Sequence, residues 1–120
     1  MTAELAIAAP ILFLILLTIM QFALWSHATH IAQTAAAQGL SAVRVHTGTA
    51  ADGESRARQV LTDLGSGPLT QPEVRAQRGA EYAAVTVTGI ATPVVPFLRL
   101  HVHGEASGAV ERFIPDLASG

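Results

Sequence analysis

The feature that most constrains this chain is an uninterrupted apolar run near its start. From Leu5 to Trp25 the sequence has no charged residue, and its only polar side chains are Thr18 and Gln21. As a helix rising about 1.5 Å per residue, the run would be about 31 Å long, close to the hydrocarbon thickness of a bilayer. A helix that is apolar on every side needs lipid or a large surrounding protein, and too little chain follows to surround it and also fold. The run therefore predicts a transmembrane helix.

Two alternatives to a membrane anchor fit this pattern less well. A buried core helix would need a larger protein around it. A cleaved signal peptide would have a shorter apolar region, a basic start and a nearby A-x-A site. Here no Lys or Arg precedes the run, and the plausible A-x-A site, Ala35–Ala37, lies well beyond Trp25. The pattern favours an uncleaved anchor.

Composition limits what the rest of the chain can do. The 120 residues leave room for one small domain besides the helix. The absence of cysteine excludes disulfides, thiolate metal sites and cysteine catalysis. A net charge of -2, with scattered arginines, gives no basic stripe for nucleic acid. The flanking charges, Glu4 before the run and Arg44 after it, do not define an orientation in the membrane.

Beyond Trp25 the helical pattern continues with a polar face and a face of small residues. The polar face contains Ser26, His30, Gln33, Ser41 and Arg44. Small residues three or four positions apart allow another backbone to approach closely. We expect this face to pack on the chain's own domain or, as the alternative, on another subunit. The predicted helix-packing residues are Ala28, Ala32, Ala35, Ala36, Gly39 and Ala42.

The remaining chain predicts a small α+β domain. Thr49 is a suitable cap for a second helix that ends near Leu64. After a Gly/Pro loop the apolar period becomes two, which predicts strands over Glu73–Arg78, Glu81–Ile90 and from Leu98 to about Phe113. The expected fold is a long N-terminal helix, transmembrane in its first half, followed by one helix and a three-stranded antiparallel sheet that is buried on one side. We expect two parts: residues 1–46, the transmembrane and extended helix, and residues 47–120, an extracytoplasmic domain.

Few residues suggest chemistry. His101, His103 and Glu105 would share one strand face and could in principle hold a metal. However, Arg99 begins the same row, and alternating polar residues are typical of any solvated strand face. The sequence shows no phosphate-binding glycine loop and no serine, histidine and carboxylate placed to form a triad. We therefore predict a protein that is not an enzyme, with no catalytic, cofactor-binding or metal-binding residues.

Two segments carry a family resemblance. The first is Thr2–Ala6, TAELA, followed by an apolar run that contains Pro10. The second is Ala35–Ala42, AAAQGLSA, which is similar to an A-A-R-E-G-A-R pattern with Gln38 in place of the usual acidic residue. Both resemble TadE-like pilus assembly proteins. The resemblance covers the chain loosely and is specific only near its N-terminus.

The resemblance implies a minor pilin or pseudopilin of the tight-adherence, Flp-type pilus or a related secretion apparatus. The implied location is the cytoplasmic membrane, with one helix in the bilayer and the domain outside the cytoplasm. The implied partners are lipid, other pilin-like subunits, the pilus assembly machinery and a prepilin peptidase. In related pilins this peptidase cuts after a glycine upstream of the glutamate. No glycine precedes Glu4 here, so the chain begins near a processed end, starts further upstream, or is not cleaved.

Glu4 and Pro10 are the candidate helix-start and assembly residues. In related pilins the glutamate aligns the subunit in the filament. The simpler alternative for Glu4 is a favourable interaction with the helix dipole. For the whole chain, the alternative function is a membrane-tethered extracytoplasmic module that binds a ligand or a partner protein.

Overall fold

The computed structural model describes residues 2–45, 47–64, 67–95 and 98–110. Its elements in chain order are α1 (Thr2–Arg44), α2 (Ala50–Leu64), β1 (Leu69–Arg78), β2 (Tyr82–Ala91) and β3 (His101–Ala109). The strands form one antiparallel sheet in the order β1-β2-β3. The predicted α+β class, with a long helix, a second helix and a three-stranded sheet, is confirmed.

Helix α1 lies in two different surroundings along its length. The exposed large apolar side chains from Leu5 to Phe22 each keep 50–66% of their surface accessible. The second half of the same helix is buried on one side, where it packs against the sheet and α2. The buried residues there are Ala28, Ile31, Ala32, Ala35, Ala36, Gly39, Leu40 and Val43. The molecule is therefore a rod with a domain around one end, 84 × 25 × 20 Å in extent.

The core lies between α1, α2 and one face of the sheet. Along β2, burial alternates strictly, with Val85 and Val87 fully buried and Thr86 half-buried on the opposite face. In β3, Val102 is buried while His101 and His103 are exposed. The sheet is thus buried on one side, as the period-two pattern predicted. Short side chains at the core positions of α1 bring its backbone close to the sheet.

The start of α2 is fixed by a reciprocal pair of hydrogen bonds. The Asp52 backbone N–H donates to Thr49 Oγ1 at 3.1 Å, and the Thr49 N–H donates to Asp52 Oδ2 at 2.9 Å. Each bond satisfies a backbone donor near the helix start that has no partner within the helix. The predicted cap at Thr49 is confirmed.

The predicted starts of β1 and β3 were wrong. β1 begins at Leu69 rather than Glu73, because its register with β2 shifts between Thr70 and Glu73. Gln71 at that shift has a φ of 50°, so the alternation that marks a strand is interrupted. β3 begins at His101 rather than Leu98, since the Leu98 N–H donates to the Val95 carbonyl.

β3 also ends at Ala109, earlier than the predicted end near Phe113. Residue 113 itself lies outside the described residues.

The expected division into residues 1–46 and 47–120 stays a prediction. His46 is likewise outside the described part of the chain, and the second half of α1 contributes to the same core as the sheet.

Candidate functional site: the apolar helix and its attachment to the sheet

Glu4 and Pro10 lie near the free end of α1. Glu4 is exposed in the first helical turn, where a carboxylate is favoured by the helix dipole. At about 1.5 Å per residue, Glu4 is about 26 Å along the axis from Gln21, the nearest contact with the domain described below. Pro10 is inside the helix, which continues through it. The parts of Glu4 and Pro10 in assembly stay predictions.

The surface of α1 between these residues and the domain is apolar, and the other residues that the structure describes leave it exposed. The helix is long and apolar enough to cross a membrane. Its polar Thr18 does not disturb this surface, because the hydroxyl donates to the Leu14 carbonyl at 2.7 Å. A transmembrane helix must satisfy its polar groups internally in this way. This stretch therefore requires lipid or other apolar helices around it.

Gln21 is where α1 first joins the domain. Its side chain is 1% exposed. Its Nε2 donates to the Thr92 carbonyl at 3.1 Å, and its Oε1 accepts the backbone N–H groups of Val94 at 2.6 Å and Val95 at 3.1 Å. One amide thus fixes the connection that leads from β2 towards β3. The predicted transmembrane run extends to Trp25, so the domain begins inside that run.

Polar side chains of α1 continue this attachment along the edge strand β3. The Trp25 Nε1 donates to the His101 carbonyl at 3.0 Å. The Gln33 amide makes two bonds with the Glu105 backbone, donating to its carbonyl at 2.7 Å and accepting from its N–H at 3.2 Å. The next such bond runs from Arg44 Nε to the Ala109 carbonyl at 2.7 Å.

The spacing of these bonds matches the geometry of the two elements. From Trp25 to Gln33 a helix rises about 12 Å, and from His101 to Glu105 a strand extends about 13 Å. An edge strand exposes a row of unpaired backbone groups that could pair with another chain. Here α1 occupies part of that row, so the helix is fixed in register with the sheet.

The small residues of α1 lie at two close backbone approaches within this chain. A Cβ added at Gly104 of β3 would lie 2.5 Å from the Ala32 carbonyl carbon. A Cβ added at Gly39 would lie 2.9 Å from the Gly53 carbonyl oxygen of α2. Both distances are too short for a side chain without a backbone shift. Of the predicted packing residues, Ala42 is half-buried and the others are buried, all within the chain's own domain.

Arg78 at the end of β1 caps the other end of α1. Its Nη1 donates to the carbonyls of Val43 and Val45, at 2.9 Å each, and also to the Gly48 carbonyl. These groups lie at and just beyond the C-terminus of the helix, where carbonyls lack helical partners and a cation is favoured. Arg78 therefore joins the end of α1 to the sheet.

The N-terminal third of the chain carries the family relationship. Residues 1–40 match the family model described as TadE-like protein. This region of the chain is TadE-like. The predicted resemblance is confirmed, and the match supports a pilus-associated, pilin-like protein. No curated protein and no solved structure matches the chain.

The TadE-like region includes Glu4, the apolar stretch, Gln21 and the small residues up to Gly39. The matched region therefore includes the exposed apolar part of α1 and most of the helix surface that packs against the sheet and α2. Together with the exposed apolar surface, the match supports anchoring by a single membrane helix.

The row of polar side chains on β3, His101, His103 and Glu105, was considered above as a possible metal site. The His103 Nε2 lies 3.3 Å from Glu105 Oε2, and both side chains are more than half exposed. Within the described ranges, no three His, Cys, Asp or Glu side chains are grouped so that they could hold a metal ion. The row is a solvated strand face with an exposed hydrogen bond between His103 and Glu105.

The sequence interpretation missed the residues that attach α1 to the sheet. Gln21 carried a signal, since it is one of only two polar side chains in the apolar run. Gly104 carried another, because glycine inside a strand often marks a close backbone approach. The bonds of Gln33 and Arg44 had no local signal, because their partners are backbone groups far away in sequence.

Proposed function

We propose that this chain is a pilin-like subunit, anchored in the cytoplasmic membrane by α1, that takes part in assembling a tight-adherence type pilus or a related secretion apparatus. Its role is structural rather than enzymatic. The domain faces away from the cytoplasm, as the resemblance implies. Its partners are the bilayer, other pilin-like subunits and the assembly machinery, with a prepilin peptidase as a further candidate.

One observation carries the proposal: the TadE-like helix has two halves with different surroundings. Residues 28–43 are held by the chain's own sheet and α2, whereas the apolar surface from Leu5 to Met20 is left exposed by the residues that the structure describes. A subunit that passes from lipid into a filament needs such a surface, because lipid and neighbouring helices can cover it in turn. The bonds along β3 keep this helix rigidly attached to its domain during that transfer.

Glu4 is proposed to act at the free end of this helix. Within the described residues its exposed carboxylate forms no ion pair, so a cationic group of a neighbouring subunit can approach it. Next to lipid or packed apolar helices, an unpaired carboxylate would cost several kcal/mol. Pairing with a neighbour's amine would remove that cost and would favour one alignment of subunits.

The substitution Glu4→Gln tests this proposal. The dipole contribution alone is about 0.3–1 kcal/mol, which is small compared with the burial of a whole apolar helix in lipid. We therefore expect normal membrane abundance but a clear loss of surface pili and of crosslinking to other pilus subunits. Both are measured in one producing strain that lacks the wild-type chain.

The matched control is Glu73→Gln, which removes the same charge from an exposed position on β1. It should leave both membrane abundance and piliation unchanged. Normal piliation with Glu4→Gln would contradict the assembly role of Glu4 and would leave only the dipole interaction.

A further inference from the structure

The connection between β2 and β3 lies beside the apolar part of α1. We refer to its described residues, Thr92, Pro93, Val94, Val95 and Leu98, as the proline loop. Val94 and Val95 are bonded to Gln21, which is about 6 Å before Trp25 along the helix axis. If the hydrocarbon layer covered the whole run from Leu5 to Trp25, this loop would lie inside it.

In the alternative position, the hydrocarbon layer covers only the part of α1 before Gln21, and the loop again lies close to the lipid. The stretch of α1 before Gln21, from Leu5 to Met20, is only about 24 Å long, which is shorter than a typical hydrocarbon core of about 30 Å. A short span is accommodated by local thinning of the bilayer or by a shift of the flanking residues towards it. The proline loop would thus lie among the outer acyl carbons in the first position and at the level of the lipid headgroups in the second.

The backbone of the proline loop is suited to that layer. The Thr92 N–H donates to the Pro68 carbonyl, the Val94 and Val95 N–H groups donate to Gln21, and the Leu98 N–H donates to Val95. Pro93 has no N–H. Every backbone donor in the loop as defined is thus satisfied or absent, which lowers the cost of moving an irregular segment away from water.

The side chains around the loop have the matching chemistry. A surface cavity of about 650 Å³ is lined mainly by apolar side chains, with the polar Thr70 and Gln71 and the exposed Arg99 beside them. The apolar residues are Ile90, Pro93, Val94, Val95 and Leu98. Trp25 lies one helical turn beyond Gln21, and its ring meets Phe22 edge-on at 5.6 Å. Aromatic rings and arginine next to apolar side chains are typical of the membrane interface.

We propose that the proline loop rests in the interfacial layer of the bilayer, as a second membrane contact of the domain besides α1. The partner is the lipid surface itself, with apolar loop side chains among the first acyl carbons and Arg99 at the phosphate level. The loop is continuous with the lipid-facing surface of α1 through Gln21, and this continuity is the reason for choosing lipid over a protein partner. The inference rests on the proposed membrane anchoring.

Single-cysteine labelling tests this contact, because the chain has no cysteine of its own. Pro93→Cys carries an environment-sensitive fluorophore on the exposed loop. Tyr82→Cys, at the opposite end of β2 and 67% exposed, is the matched aqueous control. Leu14→Cys reports on the helix. Each full-length protein is reconstituted into phosphatidylcholine vesicles that contain lipids spin-labelled either near the headgroup or deep in the acyl chain.

We expect the label at position 93 to shift its emission to shorter wavelength, to be quenched by the shallow spin label, and to lose most of its quenching by aqueous iodide. The label at position 82 should keep its iodide quenching, and the label at position 14 should respond to the deep spin label. If Pro93→Cys does not fold, Arg99→Cys, exposed at the same cavity, provides the second reporter.

The outcomes separate this inference from the proposed function. A lipid-quenched label at position 14 with an iodide-accessible label at position 93, or at position 99, would overturn the loop contact and leave the anchoring intact. An iodide-accessible label at position 14 would overturn the membrane anchoring, and the loop contact with it.

Discussion

Gln21 connects the apolar end of α1 to the domain through a single side chain. It is 1% exposed and makes three hydrogen bonds to the connection after β2. A buried amide is tolerated within an apolar run only when its donor and acceptor are both satisfied. Here the loop supplies both, so the amide and the loop stabilise each other.

The substitution Gln21→Leu should therefore destabilise the domain although it makes the helix more apolar. Each backbone group left unpaired in a buried position costs roughly 1–3 kcal/mol. We expect a loss of at least about 1 kcal/mol in the free energy of unfolding, measured by urea titration in detergent micelles. The single Trp25 provides the fluorescence signal, since its indole bonds to β3.

Thr18→Val is the control for this experiment. Its hydroxyl bonds only within α1, to Leu14, and it lies away from the loop. The control should change the unfolding free energy by less than about 0.5 kcal/mol. Equal stability of the Gln21 and Thr18 variants would contradict the role assigned to Gln21.

At the scale of elements, the packing of α1 on the sheet depends on small side chains along one face. Ala35 is fully buried on that face, whereas Ala37 is exposed on the other side of the same helix. The two positions therefore allow one substitution to be compared in two surroundings. Gln33 is also exposed on α1, but it is unsuitable as the exposed control position because its side chain bonds to the Glu105 backbone.

Ala35→Leu should reduce the stability of the domain by about 1–3 kcal/mol, because the larger side chain must separate packed elements. Ala37→Leu should change it by less than about 0.5 kcal/mol. Resistance to proteolysis in membranes, followed over a range of temperatures, measures both. Similar sensitivity of the two variants would show that the face around Ala35 is not a packing surface.

Much of the fold could be predicted because its signals are local. The run from Leu5 to Trp25, the cap at Thr49 and the alternation in β2 each act through neighbouring residues. The shift in β1 was not predictable, because Gln71 takes a positive φ without a glycine to mark it. The early end of β3 depends on pairing with β2, which no local pattern encodes.

The apolar run of the candidate site could be predicted, and its attachment to the sheet could not. The run stands out by hydrophobicity alone, whereas the role of Glu4 stays a prediction. By contrast, the bonds from Gln33 to Glu105 and from Arg78 to Val43 join residues far apart in the chain. Their partners are backbone atoms, and every residue type has such atoms, so the sequence contains no sign of which ones are used.

In the whole rod-shaped molecule, one end of α1 holds the domain and the other end provides the apolar surface. The domain end is consolidated by hydrogen bonds and close backbone contacts, and the free end offers an apolar surface about 24 Å long. A simple tether would need only the hydrophobicity of that surface, since any apolar helix of the right length is held by lipid. A pilin-like subunit also depends on the shape of that apolar surface, because the helices of neighbouring subunits must pack against the surface.

Replacing residues 5–20 by an unrelated leucine-alanine helix of equal length tests this distinction most directly. Glu4 and all residues from Gln21 onward stay unchanged, so the carboxylate and the domain are preserved. The measurement is the number of surface pili per cell, with membrane abundance determined in the same cells. The account predicts normal abundance with pili lost, whereas normal piliation would contradict it and would favour a tethered binding module.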